Sequence, residues 1–312
     1  MEGFPGTTTS NEFLPSCLSS DFQVLLLRTN LRLSRSTTDK LHFADWLLDV
    51  GHGKDIDVKG TIPFDTNMHV PDPETLIHHI YPNIDCVVPP PSYFLDRIIL
   101  AARNSDIDDL NRAILDLFPG QETTFYSAES VETDPGVFSQ SHHIPTVYLR
   151  SIEASGLPPG ELHLKHGCPL ILLRNLAPAR GLCNGTRLIL KRATGHVLEV
   201  QILGGQHDGE ISFIPRIGLL PSNQAGFTFQ LHRRQFPICL AFALTINKAQ
   251  GQSVHYIGID LRKPVFAHGQ LYVALSRATS HKHVKVVLAS TTCKNCLCNV
   301  VYPEIFDMVG DC

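Results

Sequence analysis

The stretch FALTINKAQGQSV contains the residues of this sequence whose types and spacing most clearly indicate chemistry. It begins within Cys239–Leu244, an apolar run with the length and composition of a buried strand. The polar residues that end the run are Thr245, Asn247, Lys248 and Gln250, with Gly251 completing the turn. A core strand that ends in a hydroxyl, amides and an ammonium group indicates a binding site.

A second polar pair lies in GQLYVALSRATS, which predicts a helix because its apolar residues recur three or four apart. Gln270 and Arg277 are nearly two turns apart in this stretch, so they are expected on almost the same side of the helix. An amide and a guanidinium on one face can bind an anion. The alternative is an arginine in a surface salt bridge, which helix geometry alone favours because such pairs are common.

Arg32 raises the same question near the start of the chain. It follows Val24–Leu27, a short apolar run of strand length, and falls on a predicted loop. An arginine at a strand end can bind phosphate with two parallel hydrogen bonds, which lysine cannot do. The alternative is again a surface ion pair.

The elements that position these residues are of the α/β type. In RIILAARNSDIDDLNRAILDLF, the segment Ile98–Ala101 predicts a buried strand, and Ser105 is expected to cap the helix that follows. Arg103 and Asn104 then fall at the carboxyl end of the strand, where open α/β sheets bind ligands.

Upstream of that strand, a helix is predicted from Thr38, with an apolar face of Leu41, Ala44 and Leu47 or Leu48. Gly51 and Gly53 are expected to end it. Residues 54–91 are rich in Pro, Asp and His without a sustained period, so they predict a long irregular connection.

Between residues 144 and 237 the pattern changes to short strands separated by turn residues. These strands are ELHLK, PLILLRN, TRLILKR, HVLEVQIL, EISFIPRI and FTFQLHRRQF. Repeated strands and tight turns without helices predict a small antiparallel barrel or meander. Asn184-Gly185 also begins a glycosylation sequon, but a turn is the better interpretation in a chain expected to be intracellular.

The α/β alternation resumes after this module, with CLAFAL, YIGIDL and VKVVLAS as predicted strands. The predicted organisation is therefore an N-terminal loop at 1–21, a first α/β part at 22–143, the inserted β module at 144–238, and a second α/β part at 239–312.

Composition excludes several classes of protein. The chain is 43% hydrophobic and 18% charged, with a net charge of −4, so a nucleic-acid site must be a local groove rather than a whole basic face. No apolar run is long enough to span a membrane, and the scattered cysteines do not suggest a disulfide framework. CKNCLC at Cys293–Cys298 lacks a second ligand pair at a sensible spacing, so no metal site is predicted.

Several of these motifs resemble those of superfamily-one DNA helicases. AFALTINKAQGQSV and GQLYVALSRATS are similar to the fifth and sixth signature motifs, LRTNLRL to the fourth, and the Asn-Gly-Thr-Arg of CNGTRLIL to the start of an inserted β-barrel. Within that superfamily the chain most resembles the petite-integration-frequency (PIF) helicases and the helicase part of Helitron transposons. The resemblance implies a RecA-like second motor lobe, a parallel sheet flanked by helices, with a small antiparallel β-barrel inserted.

The resemblance also implies roles for individual residues. Thr245, Asn247, Lys248, Gln250 and Gly251 correspond to the motif that contacts the backbone of single-stranded DNA and couples it to the nucleotide site. Many relatives carry His at the position of Asn247. Arg32 and Arg277 correspond to arginines that reach the γ-phosphate of ATP, and Gln270 is expected to help hold Arg277 there. Arg103 and Asn104 are expected as further strand contacts.

The resemblance implies ATP and Mg²⁺ as cofactors, but the Gly-rich phosphate loop that would hold them is not in the sequence. The single Gly-Lys pair, Gly53-Lys54, is followed by Asp rather than Ser or Thr. The first motor lobe is therefore expected in cis in a longer product or in trans. The resemblance also implies that the intact enzyme moves along DNA in the 5′ to 3′ direction. Three hypotheses stay open: the C-terminal half of an ATP-dependent helicase, a non-enzymatic, nucleic-acid-binding transposon remnant, and an unrelated α/β protein with a barrel insert. The resemblance also implies nuclear residence in a eukaryote.

Overall fold

A computed structural model gives the fold of the chain. It describes residues 38–54, 56–57, 60–132, 144–154, 156–221, 229–252, 254–289 and 296–302. Residues 1–37 lie outside the described ranges. No helix within the described ranges is long and apolar enough to cross a lipid bilayer.

Helices and strands alternate at both ends of the described chain, with a β-rich region between them. The α-helices are α1 Thr38–His52, α2 Pro73–Ile80, α3 Pro91–Leu95, α4 Asn104–Leu117, α5 Thr146–Ser151 and α6 Gln270–Leu275. The strands are β1 Thr61–Pro63, β2 His69–Val70, β3 Arg97–Ala101, β4 Glu122–Tyr126, β5 Ala128–Glu132, β6 Glu161–Lys165, β7 Pro169–Leu172, β8 Arg187–Ala193, β9 Val197–Leu203, β10 Ile211–Pro215, β11 Ile217–Leu219, β12 Gln230–Gln235, β13 Ile238–Leu240, β14 Ala243–Thr245, β15 Tyr256–Leu261, β16 Val284–Leu288 and β17 Cys296–Cys298.

A five-stranded sheet in the order β14-β3-β15-β16-β2 forms the centre of the α/β part, and all of its strand pairs are parallel. Both faces are covered. Along β3, Ile98 and Leu100 pack in a core that includes α1 and α6, whereas Ile99 and Ala101 pack in a core that includes α2 and α4. Such double coverage explains why these strands read as continuous apolar runs. The predicted α/β fold with a parallel sheet is confirmed.

Among the described residues, the outer edge of β14 is bound by a side chain, while its inner edge pairs with β3. The amide of Asn111 on α4 donates to the Ala243 carbonyl at 3.1 Å and accepts from the Ala243 N–H at 2.9 Å. Both atoms of the side-chain amide are buried, so this pair satisfies main-chain groups that would otherwise lack partners. It also fixes α4 against the strand that precedes the polar stretch.

The β-rich region consists of antiparallel sheets. The largest has the order β10-β9-β8-β7-β13, while β11-β12-β5 and β4-β6 form two smaller sheets. The predicted barrel is not seen as a closed one in the described part of the chain, because the outer strands β10 and β13 do not pair with each other. Strand β13 is only three residues long, and the chain leaves the antiparallel sheet directly after it. Strands β4 and β5 pair with β6 and β12, although both precede residue 144.

The apolar run Cys239–Leu244 is two strands, which corrects the single strand predicted from sequence. Strand β13 pairs with β7 in the antiparallel sheet, and β14 pairs with β3 in the parallel sheet. Ala241 and Phe242 form the joint between them. The Phe242 carbonyl accepts hydrogen bonds from the Tyr81 hydroxyl at 2.6 Å and from the Ile99 N–H at 3.2 Å. Buried strands of either kind read as apolar runs, so hydropathy alone did not reveal the change of sheet.

The prediction of an irregular connection over residues 54–91 was wrong, since β1, β2 and α2 lie there. Asp72 caps α2 by accepting a hydrogen bond from the Thr75 N–H at 2.7 Å, and Pro73 occupies the first turn. Asp followed by Pro and Glu is a helix-start signal, but the helix spans only two turns, too few to show a clear period.

The first helix was predicted at the right place but with a rotated apolar face. Helix α1 buries Phe43, Leu47 and Val50, whereas Leu41 and Leu48 are exposed. The helix after β3 also differs in detail. It begins at Asn104, and Arg103 rather than Ser105 occupies the capping position, without a side-chain capping bond.

Candidate nucleic-acid interface

Three neighbouring strands of the parallel sheet end at the same level. In register, Thr245 of β14 lies beside Ala101 of β3, which lies beside Asp260 of β15. The residues that follow these strands therefore share one edge of the sheet, the carboxyl edge. Arg103 and Asn104, which follow β3, are both exposed there.

The polar stretch after β14 forms a short 3₁₀ helix, Ile246–Ala249, followed by a left-handed turn at Gly251 with φ of +79°. Residues three apart lie on one side of a 3₁₀ helix. Ile246 and Ala249 are accordingly buried, while Asn247 and Lys248 are exposed. Gln250 is exposed as well, and Thr245 is half-buried. The apolar pair thus anchors a loop that presents its polar side chains to solvent.

Lys248 lies near acidic and apolar groups as well as solvent. Burial raises the pKa of the Asp108 carboxyl and the charge of Glu153 acts in the same direction, while Lys248 opposes them. Burial also raises the pKa of the Cys239 thiol to about 11, again opposed by Lys248. Lys248 lines a cleft of about 220 Å³ together with Leu172 and the Asn184–Gly185 turn.

Arg277 contacts the same loop from the other side. Its guanidinium donates from Nη1 to the Gln252 carbonyl at 3.1 Å and from Nε to the Val273 carbonyl at 2.9 Å. The Arg277 carbonyl accepts from the Val254 N–H at 3.3 Å. These bonds join the segment after α6 to the end of the polar stretch, across 25 residues of sequence.

Gln270 and Arg277 do not share a helix face, which corrects the prediction from sequence. Helix α6 ends at Leu275, so Arg277 lies beyond it. Gln270 is buried, and its Oε1 accepts a hydrogen bond from the Phe266 N–H at 3.1 Å. The apolar period of GQLYVALSRATS continues past the helix end because Ala278 is also buried, which made the helix look longer than it is.

Ion pairs that the sequence analysis did not predict lie at the carboxyl edge. Arg262 bonds Asp260 through Nη2 at 2.7 Å, and Lys263 bonds Asp106 at 2.5 Å. Asp260 is buried directly at the end of β15. Charged pairs of this kind leave no periodic signal in a sequence.

Lys54 does not occupy a phosphate loop. It follows the C-terminal end of α1 and pairs with Asp49 at 2.8 Å, whereas the lysine of a phosphate loop precedes a helix. Gly53-Lys54 is the single Gly-Lys pair of the sequence, so the described residues contain no phosphate-loop motif that would cradle ATP and Mg²⁺. Arg32 lies outside the described residues, as does Cys293. No cluster of metal-ligating side chains occurs within the described ranges.

The sequence analysis also missed a cleft that joins the polar stretch to the β-rich region. The cleft has a volume of about 490 Å³, and Gln252 and Val254 line one side of it. Residues of the β-rich region line the other side, among them Asn184, Arg187, Gly204 and His207. Arg187 is only 6% exposed. The pattern of TRLILKR predicts a strand position for Arg187. Such a pattern does not reveal whether a charged side chain has a partner in the folded protein.

The protein belongs to the α/β class. Its parallel sheet has polar loops at the carboxyl edge, and an antiparallel region interrupts the α/β alternation. Residues 147–192 match the family model described as the 2B domain of the DNA helicase Pif1. The ATP-dependent DNA helicase PIF1 of mouse is 32% identical over 206 residues, which are 65% of this chain and 28% of that protein. The human protein of that name is 32% identical over 191 residues, 60% of this chain and 26% of that protein.

Solved structures agree on the fold. The Pif1 helicase from Candida albicans superposes with a TM-score of 0.55 at 20% identity, covering 86% of this chain and 57% of that one. A Bacteroides Pif1 in complex with ADP-AlF3 and single-stranded DNA gives 0.54 at 17% identity, covering 90% of this chain and 55% of that one. The chain is a relative of the PIF1-family helicases and corresponds to their C-terminal portion. It spans little more than a quarter of the mouse and human proteins.

Proposed function

We propose that this chain is the C-terminal half of an ATP-dependent DNA helicase that binds single-stranded DNA at the carboxyl edge of its parallel sheet. Asn247, Lys248 and Gln250 contact phosphate oxygens, and Thr245 adds a hydroxyl. Contacts of this kind do not depend on base sequence, as a motor that moves along DNA requires. Arg103 and Asn104, exposed beside this loop, extend the contact.

The observation that carries this proposal is the exposure of Asn247, Lys248 and Gln250 on a loop anchored by buried Ile246 and Ala249. An anchored loop presents its side chains with little conformational freedom left to lose on binding. The Bacteroides relative whose fold matches is a complex with single-stranded DNA, which supports the same ligand for this chain.

The ATP site is proposed to form with a first motor lobe that carries the phosphate loop. Arg277, and Arg32 by family resemblance, are proposed to face the γ-phosphate held by that lobe, where fixed cations stabilise charge on the transferring group. Gln270 supports the turn before α6, and Gly251 provides the turn that leads towards Arg277. Because the described residues do not form the cradle, ATP and Mg²⁺ are not proposed to bind this polypeptide alone.

Anisotropy of a labelled oligothymidine of about 20 nucleotides, longer than a typical single-strand site, tests strand binding. Lys248→Ala is expected to weaken binding about tenfold, the loss of one charged hydrogen bond. It should also make the negative slope of log K against log salt shallower by about 0.7. The matched control is Lys282→Ala, an exposed lysine just before β16 at the opposite edge of the sheet. Equal effects of the two substitutions would contradict the assignment of Lys248.

A non-enzymatic, nucleic-acid-binding remnant of a Helitron-type transposon is the second candidate, and the position of Lys54 at the end of α1 is compatible with both. Both candidates bind DNA, but only the first restores ATP hydrolysis when a phosphate-loop lobe is supplied. Mixing the chain with the isolated first lobe of a PIF1-family helicase separates them. Turnover above that of the lobe alone supports the helicase half.

A further inference from the structure

Arg187 is a buried guanidinium whose charge no described residue neutralises. Its one hydrogen bond within the described residues runs from Nη2 to the Arg97 carbonyl at 3.4 Å. Its Nε is buried and has no hydrogen-bond partner. Burial lowers the pKa of Arg187, and the only group acting in the opposite direction is Tyr81. Tyr81 is itself buried, which raises the pKa of its hydroxyl, so it carries no charge near neutral pH.

Two carboxylates contact lining residues of the cleft and are occupied there. Asp208 accepts a hydrogen bond from the Gly204 N–H at 2.6 Å, and Glu210 pairs with His207 at 3.1 Å. Neither acts on the pKa of Arg187. Arg187 therefore lies among the lining residues of the cleft without an anionic partner in the described part of the chain.

The opposite side of the cleft also carries an unsatisfied polar atom. The side-chain Oε1 of Gln252 is buried without a hydrogen-bond partner, although its main-chain carbonyl is bound by Arg277. Buried polar groups without partners are costly, and a buried unpaired charge is more costly still. The Arg187 guanidinium calls for a negatively charged acceptor, and Gln252 Oε1 calls for a donor such as water or a hydroxyl group. The cleft therefore suits a polar anion rather than an apolar ligand.

We propose that this cleft is a phosphate-binding site with Arg187 as its main ligand. The guanidinium matches two oxygens of a phosphate, and its remaining donors suit that geometry better than a lysine would. The phosphate comes either from the backbone of a bound single strand, an assignment that rests on the proposed function, or from a free anion. Gln252, which lines the cleft, also accepts a hydrogen bond from Arg277 at its main-chain carbonyl. A ligand in the cleft would therefore lie beside a residue that Arg277 contacts.

Thermal unfolding of the full chain with increasing inorganic phosphate, at ionic strength held constant with chloride, tests the site. Phosphate is expected to raise the Tm of the wild type and of Arg192→Met, a control on the same strand whose arginine is mostly exposed. Arg187→Met is expected to show no such rise. Without phosphate, Arg187→Met should unfold no earlier than the wild type, because an unpaired charge is replaced by an apolar group.

Arg187→Lys keeps the charge without the planar donors, and it serves if the methionine variant does not fold. It should show a smaller rise in Tm than the wild type. A rise of equal size in all variants, or none in the wild type with either phosphate or oligothymidine, would overturn the proposal.

Oligothymidine binding then identifies the source of the phosphate. If Arg187→Met weakens strand binding about tenfold and makes the negative slope of log K against log salt shallower by about 0.7, the phosphate belongs to the strand. If strand binding is unchanged while the phosphate effect on Tm is lost, the site takes a free anion. Failure of the wild type to bind any strand would contradict the proposed function and leave the response to inorganic phosphate to decide the site.

Discussion

Arg277 donates a hydrogen bond to the main-chain carbonyl of Gln252, so the segment after α6 is bound to the end of the polar stretch after β14. The second bond between these segments, from the Val254 N–H to the Arg277 carbonyl, is made by main chain and does not depend on the side chain. The loop and the arginine are therefore positioned together, although the loop follows a strand and the arginine follows a helix.

Arg277→Ala is expected to loosen this loop without unfolding the protein. Loss of one hydrogen bond of about 1 kcal/mol should speed amide exchange in residues 247–252 roughly fivefold. Hydrogen exchange with mass spectrometry measures the change. Arg192→Ala is the control, and unchanged exchange around Gly251 would show that the bond to Gln252 does not hold the loop.

The purified chain is expected not to hydrolyse ATP, with or without single-stranded DNA. The physical reason is that Lys54 is paired with Asp49 after a helix, so the described residues provide no cradle for the phosphates. A coupled phosphate-release assay checks this. Turnover that disappears in Arg277→Ala would refute the prediction and place an active ATP site within this polypeptide.

Breaking the ion pair between Arg233 and Glu129 is expected to destabilise the β-rich region strongly. Both side chains are buried, at 1% and 0% exposure, and Arg233 Nε lies 2.9 Å from Glu129 Oε1. Arg233→Met should lower the free energy of unfolding by about 3–5 kcal/mol, because it leaves a buried carboxylate unpaired. Urea denaturation measures this.

Two comparisons sharpen that test. Adding Glu129→Gln to the Arg233 variant should recover part of the loss, since the unpaired charge is removed as well. Breaking the exposed pair of Arg192 and Glu199 should cost about 1 kcal/mol or less. Equal losses at the buried and exposed pairs would contradict the prediction.

Gly258 is expected to be required for the packing of α2 on the sheet. A Cβ added there would lie 2.9 Å from Ile80 Cγ1 and 3.1 Å from both Ile99 and Leu76. Gly258→Ala should therefore destabilise the protein by about 1–3 kcal/mol, the usual cost of overpacking a core. Gly218→Ala, at a strand glycine where an added Cβ meets nothing within 4 Å, is the control for chemical denaturation.

His283 is expected to make the protein less stable in mild acid. Burial lowers the pKa of its imidazole, and the charges of His255, Lys40, His281 and Lys282 act in the same direction. The unfolded chain then binds the proton more readily, so stability falls as pH drops below about 6.5. The decrease in Tm from about pH 7 to pH 5 should be smaller in His283→Gln than in the wild type. An equal decrease would assign the effect to other groups.

The sequence was informative where a strand is buried on both faces or alternates clearly. Strands β3, β15 and β16 of the parallel sheet and most strands of the β-rich region were predicted close to their observed positions. Hydropathy could not separate β13 from β14, because leaving one buried sheet for another changes no residue type. Helix α2 was missed because its start depends on a single cap at Asp72 rather than on a period.

The site was predictable in part. The loop after β14 lies at the carboxyl edge of a parallel sheet as expected, and its polar residues are exposed. The end of α6 was not predictable from its apolar spacing, so the expected alignment of Gln270 with Arg277 was wrong. Arg187 could not be found from sequence, because the lack of a charge partner is a property of the folded surroundings.

The joint at Phe242 determines how a mechanical load would pass through the molecule. Its carbonyl holds Tyr81 and Ile99, and its ring packs against Phe94 and Phe118. Only Ala241 and Phe242 separate β13 from β14, so a force on the antiparallel sheet would be transmitted from β13 to β14 without first extending a loop. Any strain on that sheet would be delivered, within a few residues, to the loop that carries Lys248.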